Sequence, residues 1–81
     1  MAYRVLVVDD QKGVRRLLEE LFKKEGYEVN VAVDGRDSIE KVKANTPDII
    51  LMDMKMPNMN GLEASEEIIK YDSNIPIIMM T

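Results

Sequence analysis

Two short apolar runs in this chain end on carboxylates: Arg4-Val5-Leu6-Val7-Val8 leads into Asp9-Asp10, and Ile49-Ile50-Leu51-Met52 leads into Asp53. An acid at the end of a buried strand packs nothing. In open α/β sheets the crevice beyond the strand carboxyl ends is where ligands sit, so these acids are delivered to a site rather than to the core. Taken alone, Asp53 also reads as a helix N-cap or a turn aspartate. If the two strands are neighbours, however, Asp9, Asp10 and Asp53 crowd into one crevice. Each carboxylate then raises the protonation tendency of the others unless a cation resolves the conflict. The chain contains no histidine and no cysteine, so such a cation must be a hard one held by oxygen. Mg²⁺ suits: it is octahedral, oxygen-seeking, and held by one or two carboxylates plus a substrate phosphate. The competing reading is a solvated acidic rim with no ligand.

The elements that must position these acids follow from hydrophobic periodicity. Ile49–Asp53 lies between Pro47 and Pro57 and reads as a strand buried on both faces, as in a parallel sheet. Val14, Leu17, Leu18, Leu21 and Phe22 fall at i, i+3, i+4, i+7 and i+8, which predicts a first helix with acids leading, lysines closing it, and Gly26 as a left-handed stop. Residues 27–32 alternate and predict a strand near a sheet edge. Asp34-Gly35 reads as a turn. A weak stripe of Ile39 and Val42, with Ala44 nearby, predicts a second helix over roughly 36–44. Pro57 and Asn60-Gly61 mark a loop, and Leu62, Ser65, Ile68 and Ile69 a third helix over roughly 61–71. Residues 75–81 form a fourth strand ending on Thr81. The order βαβαβαβ requires right-handed crossovers and a parallel sheet covered by helices.

Eighty-one residues with 46% hydrophobic and 32% charged side chains make one small soluble domain, which buries only about 60–65% of its unfolded surface. A net charge of −4 argues against direct nucleic-acid or membrane-surface binding, since both attract clustered Lys and Arg. No apolar run approaches the ~18 residues that span a bilayer. A reducing cytoplasm is the simplest address for a chain without cysteine. The seven methionines sit mostly on strands and in the loop after Asp53, where they fill gaps.

These motifs together resemble the receiver domain of bacterial response regulators. The resemblance is carried by strand–Asp9-Asp10, by strand–Asp53-Met54-Lys55-Met56-Pro57-Asn58-Met59-Asn60-Gly61, and by strand–Thr81, and it runs from residue 4 to the last residue. Val7-Val8-Asp9-Asp10-Gln11, Lys23-Lys24-Glu25-Gly26-Tyr27 and Met52-Asp53-Met54-Lys55 are similar in particular to the single-domain, sporulation-phosphorelay branch of that family. The resemblance implies a flavodoxin-like (CheY-like) α/β fold with parallel strand order 2-1-3-4. It also implies that Asp53 is the phosphoacceptor, attacking a phosphohistidine on a histidine kinase or phosphotransferase protein. Asp10 and Asp53 would bind Mg²⁺ through their side chains, Lys55 through its backbone carbonyl and Asp9 through water. Thr81 would hydrogen-bond the phosphoryl group; without the family match its role is ordinary strand propensity. Gln11, Lys12, Gly13 and the exposed side of the first helix lie where partner proteins dock in such regulators.

Set against the family, residues 1–81 read as a truncated receiver domain lacking the fourth helix, the fifth strand with its lysine, and the fifth helix. Strand four would then have an unpaired edge and the sheet an uncovered face over strands three and four. An apolar edge is a template for association, so a homodimer or higher oligomer is expected. The chain is thus expected to be a signalling module, not an enzyme. Two other readings stand beside it. One is a chemically silent, self-associating half-domain. The other is an aspartyl-phosphate phosphohydrolase, which usually carries Asp-x-Asp where this chain has Asp53-Met54-Lys55.

Overall fold

In the computed structural model, which describes residues 3–57 and 59–80, the elements alternate as β1 (Arg4–Val8), α1 (Lys12–Lys24), β2 (Glu28–Ala32), α2 (Gly35–Ala44), β3 (Ile49–Asp53), α3 (Gly61–Tyr71) and β4 (Ile77–Met80). The strands form one sheet in the order β2-β1-β3-β4, every pair parallel. This is the doubly wound, flavodoxin-like arrangement that the family resemblance implied. Its decisive feature is the β1–β3 pairing, in which Val8 lies opposite Met52. The residues that follow, Asp9 and the strand-ending Asp53, therefore stand side by side at the sheet's C-terminal edge.

Alternation along the strands sends Leu6, Val8, Ile50 and Met52 to one face, where each is 1% exposed or less. They meet Val42 from α2 and Ala64 and Ile68 from α3 in a single core. Each fully buried aliphatic side chain there contributes about 1.5–3 kcal/mol. The face of α3 that packs is Gly61, Ala64, Ser65 and Ile68. Leu62 and Ile69, expected on the apolar stripe, are instead 55% and 49% exposed. Small residues at positions 61, 64 and 65 let the helix lie close to the sheet, and the larger side chains turn outward. Ala44 likewise ends up exposed.

Local chemistry explains the helix ends. Asp34 is the N-cap of α2, accepting from the Asp37 N–H at 2.7 Å, so Asp34-Gly35 starts a helix rather than making a free turn. Asn60 and Glu63 form a reciprocal capping box at α3. Gly26 follows α1 with φ of 93°, the left-handed stop anticipated. The expectation that acids lead α1 is not met: its first turn contains none, although Lys23 and Lys24 do close it. The negative charge that a helix N-terminus favours stands just upstream instead, on Asp9 and Asp10.

The opposite face of the sheet is less well covered. Val5 and Val7 are buried, but Ile49 and Leu51 are only half-buried and Ile78 is 49% exposed. β3 is therefore buried on one face, not both. α1 packs over β1 and β2 without burying any residue fully, which leaves a groove of about 160 Å³ between Phe22, Tyr27, Leu51 and Ile78. Among the described residues β4 is an edge strand, as is β2. No helix among the described residues is long and apolar enough to cross a membrane.

Candidate functional site

The sheet's C-terminal edge brings together the acids singled out from the sequence. Asp9, Asp10 and Asp53 each present a carboxylate oxygen within 4.8 Å of the others. Asp9 is buried at 7% exposure, Asp53 is half-buried and Asp10 is exposed. They border an open cleft of about 380 Å³ that Gln11, Lys55 and Met80 also line. The donor set is oxygen only, and its spacing lets the three acids share one small hydrated cation, some directly and some through water, so these residues fit Mg²⁺.

Hydrogen bonds to neighbouring residues hold Asp9 and Asp53 in place. Asp9 Oδ1 accepts from the Gln11 N–H at 2.8 Å, and its carbonyl accepts from Arg15 Nη1 at 2.8 Å. Asp9 also donates its N–H to the carbonyl of Ala32 at 3.2 Å. Burial pushes the Asp9 carboxyl above its ordinary value. The charges of Asp53 and Asp10 push the same way, while the Gln11 N–H and the Arg15 guanidinium pull it back down. Asp53 Oδ1 accepts from the Lys55 N–H at 3.1 Å, an Asx-type turn that commits one oxygen of a carboxylate bordering the cleft.

The loop from β3 to α3 is tied at both ends. Met54 donates its N–H to the Met80 carbonyl at 3.1 Å, extending the β3–β4 ladder, and Gly61 donates to the Met54 carbonyl at 3.1 Å. Met56 anchors the loop in the core at 8% exposure. Lys55, expected as a carbonyl ligand, is on the cleft. Thr81 and Asn58 lie outside the described residues. Sequence reading missed Arg15, Met80 and the space requirements of Gly35 and Gly61. Arg15 sat among helix-surface charges, and nothing in a sequence announces what a side chain at a glycine would strike.

Comparison with known proteins agrees with this arrangement. Residues 5–81 match the family described as response regulator receiver domain. Sporulation initiation phosphotransferase F of Bacillus subtilis is 43% identical across the whole chain, which covers 65% of that protein. Chemotaxis protein CheY of Thermotoga maritima is 48% identical over 98% of the chain, which covers 67% of it. The sporulation branch is thus among the relatives, as the sequence motifs suggested, alongside chemotaxis regulators. The chain spans about two thirds of the length of these curated relatives. Among solved structures, response regulator TrrA of Thermotoga maritima in complex with Mg²⁺ and BeF superposes with a TM-score of 0.90 at 38% identity, covering 95% of this chain and 67% of that one. Paired acids at the ends of adjacent parallel strands, the β2-β1-β3-β4 order and these matches over nearly all of residues 1–81 lead to one conclusion: the chain belongs to the response regulator receiver domain family.

Proposed function

We propose that the chain is a phosphoacceptor module of a two-component or phosphorelay system, in which Asp53 takes a phosphoryl group from a phosphohistidine on a histidine kinase or phosphotransferase protein. The observation that carries this reading is the convergence of three carboxylates within 4.8 Å at the ends of neighbouring strands. The Asp53 oxygen not engaged by the Lys55 N–H attacks phosphorus. An O–P bond forms, the N–P bond of the donor breaks, and the released imidazole takes up a proton. Because phosphoryl transfer passes through a loose transition state, the protein's task is to place the nucleophile in line and to offset charge on the phosphoryl oxygens. A Mg²⁺ held by Asp10, Asp53 and the Lys55 carbonyl, with Asp9 acting through water, would supply that neutralisation. Thr81, carried over from the family, would donate a hydrogen bond to the same oxygens. The Mg²⁺ and BeF in the TrrA structure support the choice of ion.

On this reading the chain is a signalling module, not a turnover enzyme. It acts in the cytoplasm and does not bind nucleic acid directly. A second copy of the chain is its further partner, supported by the uncharged edge strand Ile77–Met80 and the half-exposed Ile78. Incubation with Mg²⁺ and acetyl phosphate, followed by intact mass measurement, is expected to add one phosphoryl group, and Asp53→Ala to abolish the gain. A wild-type chain that gains no mass overturns the reading. Sustained turnover of phosphate monoesters favours a phosphohydrolase instead.

A further inference from the structure

Gly61 is the first residue of α3 and is buried. Its backbone is not in the left-handed region, which among the glycines only Gly26 occupies, so conformational freedom is not what the position demands. Space is. A Cβ at Gly61 would overlap the carbonyl oxygen of Asp53 outright, and would stand 2.9 Å from the Asp53 carbonyl carbon and 3.0 Å from Met52 Cγ. Two of these three nearest atoms are main-chain atoms of Asp53 itself. They cannot rotate away as a side chain would; they can move only by shifting the peptide that follows the acid.

Gly35, the first residue of α2, makes the complementary contact on the far side of the same loop. A Cβ there would meet the Met59 carbonyl oxygen at 2.8 Å, Met59 Cγ at 2.9 Å and Ala64 Cβ at 3.1 Å. Asp53 and Met59 thus each lie against a helix start that is bare of a side chain at the point of contact. The Gly61 N–H to Met54 carbonyl bond closes the near side.

We propose that Gly61 is a positioning residue for Asp53: its missing side chain lets the start of α3 press on the Asp53 peptide and fix the direction of the carboxylate, with Gly35 seating the other end of the loop. This deepens the phosphoacceptor reading and rests on it. The carboxylate hangs from the Cα adjoining the pressed carbonyl, so a shift of that peptide re-aims the nucleophile. Misplacement of a reacting group by about 1 Å costs on the order of a hundredfold in rate.

The test compares Gly61→Ala with Ile68→Val, a variant that loosens the same helix in the core and touches none of the three acids. Phosphorylation by acetyl phosphate with Mg²⁺ is followed by intact mass and normalised to the folded fraction. Gly61→Ala is expected to lower the maximal rate about tenfold to a hundredfold while the acetyl phosphate concentration at half-maximal rate stays within about twofold. Ile68→Val is expected to keep the wild-type rate. Amide shifts of Asp53, Met54 and Lys55 are expected to move in Gly61→Ala, while those of Val5, Leu6 and Val7 stay in place. A folded Gly61→Ala with wild-type rate overturns the proposal. If Gly61→Ala does not fold, Gly35→Ala takes its place: a smaller loss of maximal rate supports the proposal, and a wild-type rate overturns it. Failure of the wild-type chain itself to accept phosphate would instead remove the phosphoacceptor reading, so the two failures are distinguishable.

Discussion

The Gln11 N–H donates to Asp9 Oδ1 at 2.8 Å, fixing a buried carboxylate within reach of two others. Asparagine at position 9 keeps that acceptor and removes the charge. Asp9→Asn is therefore expected to stabilise the metal-free chain at neutral pH by on the order of 1 kcal/mol, read as a higher urea midpoint with unchanged slope. Because the folded-state carboxyl titrates above its ordinary value of 3.8, the native state holds the proton more readily than the unfolded chain. The wild-type penalty is thus full above the folded-state value and is relieved as pH falls toward 3.8, so the advantage of the variant should shrink over that interval.

Cation binding should offset the same repulsion. Raising Mg²⁺ is expected to stabilise the wild-type chain by about 2.7 kcal/mol at a hundredfold excess over Kd, and chelation should reverse the gain. Asp10→Asn, which removes the negative charge and one of the two carboxylate oxygens, is expected to weaken Mg²⁺ affinity about tenfold or more. Calorimetric titration checks both. An affinity unchanged in Asp10→Asn would remove that residue from the cation site.

Asn60 accepts from the Glu63 N–H at 2.9 Å and Glu63 reaches back to the Asn60 N–H. Asn60→Ala removes the side-chain acceptor for the Glu63 N–H while keeping the backbone N–H that Glu63 accepts from, and should cost about 1 kcal/mol in urea unfolding.

The core has little reserve. Ile50 is fully buried at the centre of the sheet, and Ile50→Ala should cost about 2–5 kcal/mol. A domain of this size has only about 5 kcal/mol or somewhat more to lose. Urea unfolding followed by circular dichroism is expected to show this variant losing a large share of that margin, whereas Ile50→Val, costing about 0.5–1.5 kcal/mol, should keep most of it.

Association through β4 should respond to charge. Sedimentation velocity at micromolar concentration is expected to show the wild-type chain as a dimer or larger. Ile78→Lys, a charge on the half-exposed edge strand, should shift it to monomer. A wild-type monomer excludes this interface.

Much of this molecule was legible as residues in a row. Arg4–Val8 and Ile49–Asp53 announced themselves as strands with acids at their ends because β-branched runs leave few alternatives. The Val14–Phe22 period and Gly26 marked α1 and its end. Motif spacing placed the chain in its family. Other features depend on which surfaces meet. The periodicity of α3 pointed to Leu62 and Ile69, yet Gly61, Ala64 and Ser65 pack, since apolar character shows which residues favour burial but not how closely a helix can approach a sheet.

What the sequence determined by itself was the set of oxygen donors and the strands that carry them, because residue type and period are local properties. Only the tertiary structure decided that Val8 pairs with Met52, and hence that Asp9 and Asp53 emerge together. It also decided that the helix start at Gly61 bears on the peptide of Asp53. Register and close approach are relations between segments distant in the chain, settled by packing the whole sheet at once.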